Sequence, residues 1–159
     1  EAARLLEKRD DIVFVICDEG PNRAALEQLA SDLRNVRLRD LQPAERMGAM
    51  LNMADLHLLP QIAGAADLVL PSKLTNMLFS GRPVVATTEP GTGLYDEVDG
   101  CGAITPPGDA VALAKAIAAL SDDPARRESL GAAARKRAAE RWMKEAIIAR
   151  MGQELDRLA

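Results

Sequence analysis

The run Ile12-Val13-Phe14-Val15-Ile16-Cys17 constrains this chain more than any other stretch. It is apolar and β-branched, and it lacks the in-out alternation of a half-buried strand. Such a run suits a strand covered on both faces, which needs helices on either side. The rest of the sequence supplies them. Residues 1–9 read as helix, and after the turn Asp18-Glu19-Gly20-Pro21 a helix carries Leu26, Leu29, Ala30 and Leu33 on one face. A strand at 36–38 precedes Pro43, placed for a helix's first turn, and an apolar stripe of Met47, Met50, Leu51 and Ala54. Further strands fall at 56–59, 84–87 and 103–105, with a helix at 72–80 between the first two. Asp109 is placed to cap a helix bearing Leu113, Ile117 and Leu120. Another helix follows Pro124, and a last one, with Trp142 at its start, carries Ile148, Met151, Leu155 and Leu158 and packs across the domain. Strands alternating with helices through short turns predict βα units, a Rossmann-like doubly wound parallel sheet of the α/β class.

At 159 residues, 48% hydrophobic and 28% charged, the chain has the size and composition of one globular domain. A net charge of −4 argues against a generic polyanion binder, so no nucleic-acid partner is expected. Cys17 and Cys101 fit no metal-ligand spacing and read as reduced core thiols, which points to the cytoplasm. No apolar run approaches the ~20 residues of a membrane span. The opening Glu-Ala-Ala-Arg-Leu-Leu-Glu-Lys resembles the middle of a helix with no strand leading into it. The expectation is a piece of a longer protein, single-domain over 1–159, lacking a first strand and an N-terminal domain.

The stretch Leu70-Pro71-Ser72-Lys73 opens a helix at the carboxyl end of a strand, where ligands of doubly wound sheets bind. A helix start carries free N–H groups and partial positive charge, to which Ser72 adds a hydroxyl and Lys73 a cation. Two readings stand: a phosphate site needing no metal, or an ordinary serine cap beside a solvated lysine. Gly20 would let a ligand approach the backbone, but a simple turn is favoured. No Gly-x-Gly-x-x-Gly occurs, so no dinucleotide cofactor is implied. His57, the only histidine, reads as a hydrogen-bonded core residue, and no catalytic residue is assigned. Residues 126–137, rich in Arg and Lys, read as a solvated helix face, a phosphate or membrane-surface role being the lesser alternative.

In order along the chain, Asp18-Glu19-Gly20-Pro21-Asn22-Arg23, residues 39–47, residues 53–60 and Ser80-Gly81-Arg82-Pro83-Val84-Val85-Ala86-Thr87 resemble one family. It is the donor-binding, C-terminal half of GT-B retaining glycosyltransferases of family 4. Residues 70–78 resemble its branch containing the colanic-acid fucosyltransferase and related exopolysaccharide enzymes. The resemblance implies a nucleotide-diphosphate sugar, GDP- or UDP-linked with GDP-fucose favoured by the branch, and a glycan or lipid-linked acceptor held by the N-terminal half. Amides of Leu70, Ser72 and Lys73, with Gly20 nearby, would grip the diphosphate, and no metal is implied. The family's two glutamates map to Asn76, still able to bond a ribose, and to Leu68, which cannot replace an acid although Asp67 adjoins it. Backbone at Leu41 and the side chains of Gln42 or Arg46 would meet the base, with plain surface charge the bland reading of Arg46. The full protein would work on cell-surface polysaccharide in the cytoplasm, at the inner face of the membrane, and the isolated piece would be inactive. The alternatives are a sugar-nucleotide epimerase of the same architecture and a non-catalytic Rossmann-like interaction module.

Overall fold

The computed structural model describes residues 1–62 and 70–158. A short helix α1 (Ala2–Leu5) leads to strand β1 (Phe14–Cys17), helix α2 (Arg23–Ala30) and strand β2 (Val36–Arg39). A 3-10 turn at Ala44–Arg46 runs into α3 (Met47–Met53), followed by β3 (His57–Leu59), α4 (Lys73–Phe79) and β4 (Val84–Thr87). The remainder is α5 (Gly93–Val98), β5 (Gly102–Thr105), α6 (Ala110–Ser121), α7 (Pro124–Trp142) and α8 (Lys144–Leu158).

All the pairings are parallel, as the unalternating apolar runs required, but they form two ladders. One is β1–β2 and the other β3–β4–β5, and β1 and β3 are not hydrogen-bonded to each other. The middle strand of the triple, Val84–Thr87, is buried at every position. Alternate residues of β3 explain how. Leu59 joins Leu74, Leu78, Val84, Ala86, Leu94, Val98, Ala134 and Ala138 in a core under α4, α5 and α7. Its neighbour Leu58 faces the other way, into a second cluster with Leu6, Ile12, Ala114 and Ile117 under α1 and α6. Both faces of this ladder are covered, which is the doubly wound arrangement.

The two-stranded ladder departs from expectation. Phe14 reaches the second core, but Val13 and Val15 on the opposite face are 53% and 46% exposed. The run that reads as a strand covered twice is thus well covered on one face and about half open on the other. Two further helix faces are more open than their periodicity suggests. Leu29 of α2 is exposed, α2 ends at Ala30 before Leu33, and Met47 of α3 is also exposed. Pro43 stands just before the 3-10 turn, one position ahead of the first turn it was expected to occupy.

Trp142 ends α7 instead of starting the last helix. Its indole Nε1 donates to Glu97 Oε2 at 3.0 Å, and Arg141 Nη1 donates to Glu97 Oε1 at 2.9 Å. Both residues are held by one buried carboxylate, and the helix ends where Met143 takes an extended conformation. Beyond it α8 runs with Ile148, Met151 and Leu155 all more than half exposed, so it does not pack across the described domain.

Helix α4 is short because Gly81 follows Ser80 at φ +72°, a left-handed exit that glycine adopts without a Cβ penalty. That turn also meets α7. A Cβ on Gly131 would run into the Gly81 carbonyl oxygen, so α4 and α7 cross on bare backbone. Alanine favours a helix over glycine by about 1 kcal/mol, but the obstacle at Gly131 is backbone and cannot rotate away. Gly131→Ala is therefore expected to lower unfolding stability by about 1–3 kcal/mol in urea titrations. Gly152→Ala, in a helix with open space around it, is expected to leave stability equal or higher. Equal midpoints for both variants would disprove the bare-backbone contact.

Candidate functional site

Every strand of a parallel sheet points the same way, so the segments leaving the strands share one pole. Gly20 leaves β1, Leu41 and Gln42 leave β2, Gln61 leaves β3, Thr87 and Thr88 end or leave β4, and Thr105 ends β5. Helix α4 begins at this pole because it follows β3 and precedes β4. Gly20, Leu41 and Gln42 thus stand at the strand ends of the β1–β2 ladder, and the start of α4 follows the strand end of the β3–β4–β5 ladder. Asp67 and Leu68 lie outside the described residues.

Gly20 is a turn residue: its N–H donates to Asp18 Oδ1 at 3.1 Å. Behind it stands Arg23, which sequence reading passed over. Its guanidinium donates to the carbonyls of Asp18 and Arg39 and pairs with Asp40 at 3.1 Å and Glu27 at 3.0 Å. One side chain therefore ties the end of β1 to the end of β2. The two carbonyls are what no sequence pattern reveals. Leu41 is exposed, Gln42 Nε2 donates to the Asp40 carbonyl at 3.1 Å, and Arg46 lies exposed in the 3-10 turn.

At the start of α4 the Leu74 amide turns back to the Pro71 carbonyl at 2.9 Å. Ser72 is exposed and makes no side-chain cap, which removes the ordinary capping role expected for it. Its backbone is already helical, with φ −57° and ψ −29°, whereas a capping residue normally sits in the extended region. Lys73 is exposed and has no ion pair within 4 Å among the described residues. Leu74 and Leu78 bury one face of α4, Leu70 packs on the same core, and Asn76 stays on the solvent side.

Thr87 braces the approach to this helix. Its hydroxyl accepts from the Gln61 N–H at 2.7 Å and donates to the Gln61 carbonyl at 2.8 Å, fixing the backbone where the chain leaves β3. Thr88 and Thr92 share a buried hydrogen bond at 2.7 Å, and Thr92 caps α5, a helix sequence reading missed. The signal was present in a threonine followed by Leu94 and Val98 at helical spacing. Gln61 Oε1 and Thr105 Oγ1 are buried without a partner among the described residues, and both lie at this pole.

His57 does not belong here. It opens β3 at the opposite, amino-terminal pole and is buried, with Nε2 3.0 Å from Ser80 Oγ. Ser80 spends its own proton on the Met77 carbonyl at 2.6 Å, so it accepts from His57 and from the Arg82 amide. Nε2 therefore carries a proton and donates to Ser80. Burial, aided by the charge of Arg82, holds the imidazole's pKa below the usual histidine value. Cys101 is a buried thiol that donates to the Glu97 carbonyl, and burial pushes its pKa up, away from reactivity.

The profile of the family described as "Glycosyl transferases group 1" matches residues 1–137. The chain belongs to that family. It is 44% identical over 96 residues to WcaI of Escherichia coli (strain K12), named as a colanic acid biosynthesis glycosyl transferase, covering 59% of this chain and 23% of that protein. It is 31% identical to the alpha-D-kanosaminyltransferase of Streptomyces kanamyceticus over 81% of this chain and 33% of that one. The match to AmsK of Erwinia amylovora, an amylovoran biosynthesis glycosyltransferase, is 29% identical over 100% of this chain and 40% of the relative. The chain thus spans less than half the length of these relatives. Among solved structures, sucrose-phosphate synthase from Thermosynechococcus elongatus superposes with TM-score 0.77 at 24% identity, over 98% of this chain and 41% of that one. HepE of Anabaena, solved with UDP-glucose, gives TM-score 0.78 at 17% identity over 98% and 44%. These likenesses establish the fold, a Rossmann-like unit of the GT-B type.

The neutral His57 carries a pH dependence. A histidine whose pKa is depressed in the folded state contributes fully above its unfolded pKa of about 6.5, and its contribution falls as pH drops below that. The urea midpoint is expected to fall between about pH 7.5 and pH 5.5, and to fall less in His57→Gln. Parallel pH profiles for the two proteins would contradict the buried neutral imidazole.

Proposed function

We propose that this chain is the donor-nucleotide half of a glycosyltransferase that transfers a sugar from a nucleotide diphosphate to a glycan or lipid-linked acceptor in polysaccharide biosynthesis. The family match over residues 1–137 carries the reading. The diphosphate lies against the first turn of α4, where the amides of Ser72 and Lys73, the Leu70 backbone and the Lys73 ammonium meet negative charge. As the sugar leaves, charge builds on the diphosphate oxygens, and preorganised amides and a cation stabilise it where it forms. Asn76, one turn further along the same helix, bonds the ribose, and Leu41 with Gln42 meets the base at the end of β2. Arg46 is a surface charge at the rim. A GDP-linked donor, GDP-fucose or a relative, is the favoured substrate on the branch resemblance of residues 70–78.

The break between the ladders fits a longer protein. Helix α1 lies over the cluster shared by β1 and β3, as a crossover helix does, yet no described strand leads into it. Doubly wound sheets of order 3-2-1-4-5-6 put their first strand between the second and fourth, which here are β1 and β3. A parallel strand from a preceding segment, entering by the usual right-handed crossover, would close the sheet. The exposed stripe of α8 would meet the other half of the same protein, which holds the acceptor and works in the cytoplasm at the inner face of the membrane. The 159-residue piece alone is expected to show no turnover. An epimerase would need an acid or histidine facing the sugar; His57 is buried at the opposite pole, and Asp67 lies outside the described residues.

Calorimetric titration of the full-length protein with GDP and UDP tests the donor site. Binding of one of them is expected, weakened about tenfold or more by Lys73→Ala with Ser72→Ala, the loss of a charge-assisted contact. Unchanged affinity in that double variant would remove α4 from the site.

A further inference from the structure

Part of the basic stretch at 126–137 lines a cleft. Helix α7 presents Arg127 and Arg135 two turns apart, about 12 Å along the axis, with the bare Gly131 contact between them. Opposite stands Arg82, at the turn between α4 and β4. Together with Lys136 they line a cleft of about 870 Å³ whose other walls include Gly81 and Pro83. Each guanidinium is held by backbone. Arg127 donates to the carbonyls of Leu120 and Ser121 at 2.6 and 2.7 Å, Arg135 to Phe79 at 3.3 Å, and Arg82 to Asn52 at 3.2 Å. These bonds use Nη1 of Arg127, Nε of Arg135 and Nη2 of Arg82, so further N–H groups remain on every one. None of the three arginines is ion-paired among the described residues. Four cations against Asp55 and Glu128 leave the cleft at +2, in a chain whose net charge is −4.

We propose that this cleft binds a phosphate-bearing anion, with Arg82 and Arg135 as its ligands and Arg127 adding charge at its far end. Carbonyl-anchored guanidiniums with N–H groups to spare are preorganised for phosphate oxygens, and glycine and proline walls let an anion sit close to the backbone. The cleft is a second site. Helix α4 starts at the donor pole and ends at this one, and its seven residues separate the two by about 10 Å. The phosphate can be free or the headgroup of an acidic lipid, and one experiment distinguishes the sources.

The full-length protein is titrated with pyrophosphate by calorimetry and sedimented with phosphatidylglycerol or phosphatidylcholine vesicles. Both measurements are made in the Lys73→Ala/Ser72→Ala background, which removes the proposed donor cradle. At least one phosphate source is expected to bind there, more weakly as salt rises, with about tenfold or greater loss when Arg82→Gln and Arg135→Gln are added. Binding to phosphatidylglycerol vesicles but not phosphatidylcholine ones identifies a lipid headgroup, and binding of pyrophosphate alone identifies a soluble anion. If circular dichroism shows the added arginine variant unfolded, Lys136→Ala, at an exposed side chain, replaces it and is expected to weaken binding less but measurably. The proposal is overturned if neither phosphate source binds in that background, or if binding survives the cleft variants.

Discussion

The burial of Val84–Thr87 on both faces is the constraint on which the rest of the structure depends. A parallel strand without a polar side has to be sandwiched, so α4, α5 and α7 must lie on one face and α1 with α6 on the other. That sandwich sets where α4 begins and ends. Its first turn is carried to the pole where the strands finish, and its last turn to the pole where they start. The crossing of Gly81 and Gly131 then holds its exit against α7, close enough that Gly131 has no room for a side chain, while Gly81 serves the left-handed turn.

Two poles with different chemistry result. At the strand ends, hydroxyl and amide groups brace the backbone. Thr87 grips both polar groups of Gln61, Arg23 joins the ends of β1 and β2, and Lys73 stands exposed at the mouth of α4. At the strand starts, arginines anchored to carbonyls surround a cleft, backed by the neutral His57 and Ser80. The first arrangement is the one proposed above for a nucleotide diphosphate, and the second offers cations bonded to carbonyls but not ion-paired among the described residues. Between them a seven-residue helix is held mainly by Leu74 and Leu78.

Much of this was legible in local pattern. Apolar β-branched runs located the strands, with 84–87 coinciding with β4 and the others within a residue or two. Asp109 caps α6 as its position promised, accepting from the Ala112 amide at 2.8 Å. What escaped depends on contacts distant in sequence. Glu97 bonds Trp142, the last residue of α7, from 45 positions away, and α5 was overlooked because its capping threonine sits in a glycine-rich turn. Exposure was misjudged in the same way. Val13, Val15, Leu29 and Ile148 have the character of buried residues, but periodicity states which side of an element is apolar and not whether anything covers it.

The sequence by itself determined the class of fold, the order of the elements and the placing of Leu70, Ser72, Lys73 and Asn76 at a strand-to-helix junction, because chain direction and residue periodicity are local properties. Only the tertiary structure decided that Ser72 is not a cap, that His57 faces Ser80 at the far pole, and that the cations of α7 gather with Arg82 around a cleft. Those outcomes follow from which backbone segments pack against one another, and at Gly81 and Gly131 that packing is set by the absence of side chains.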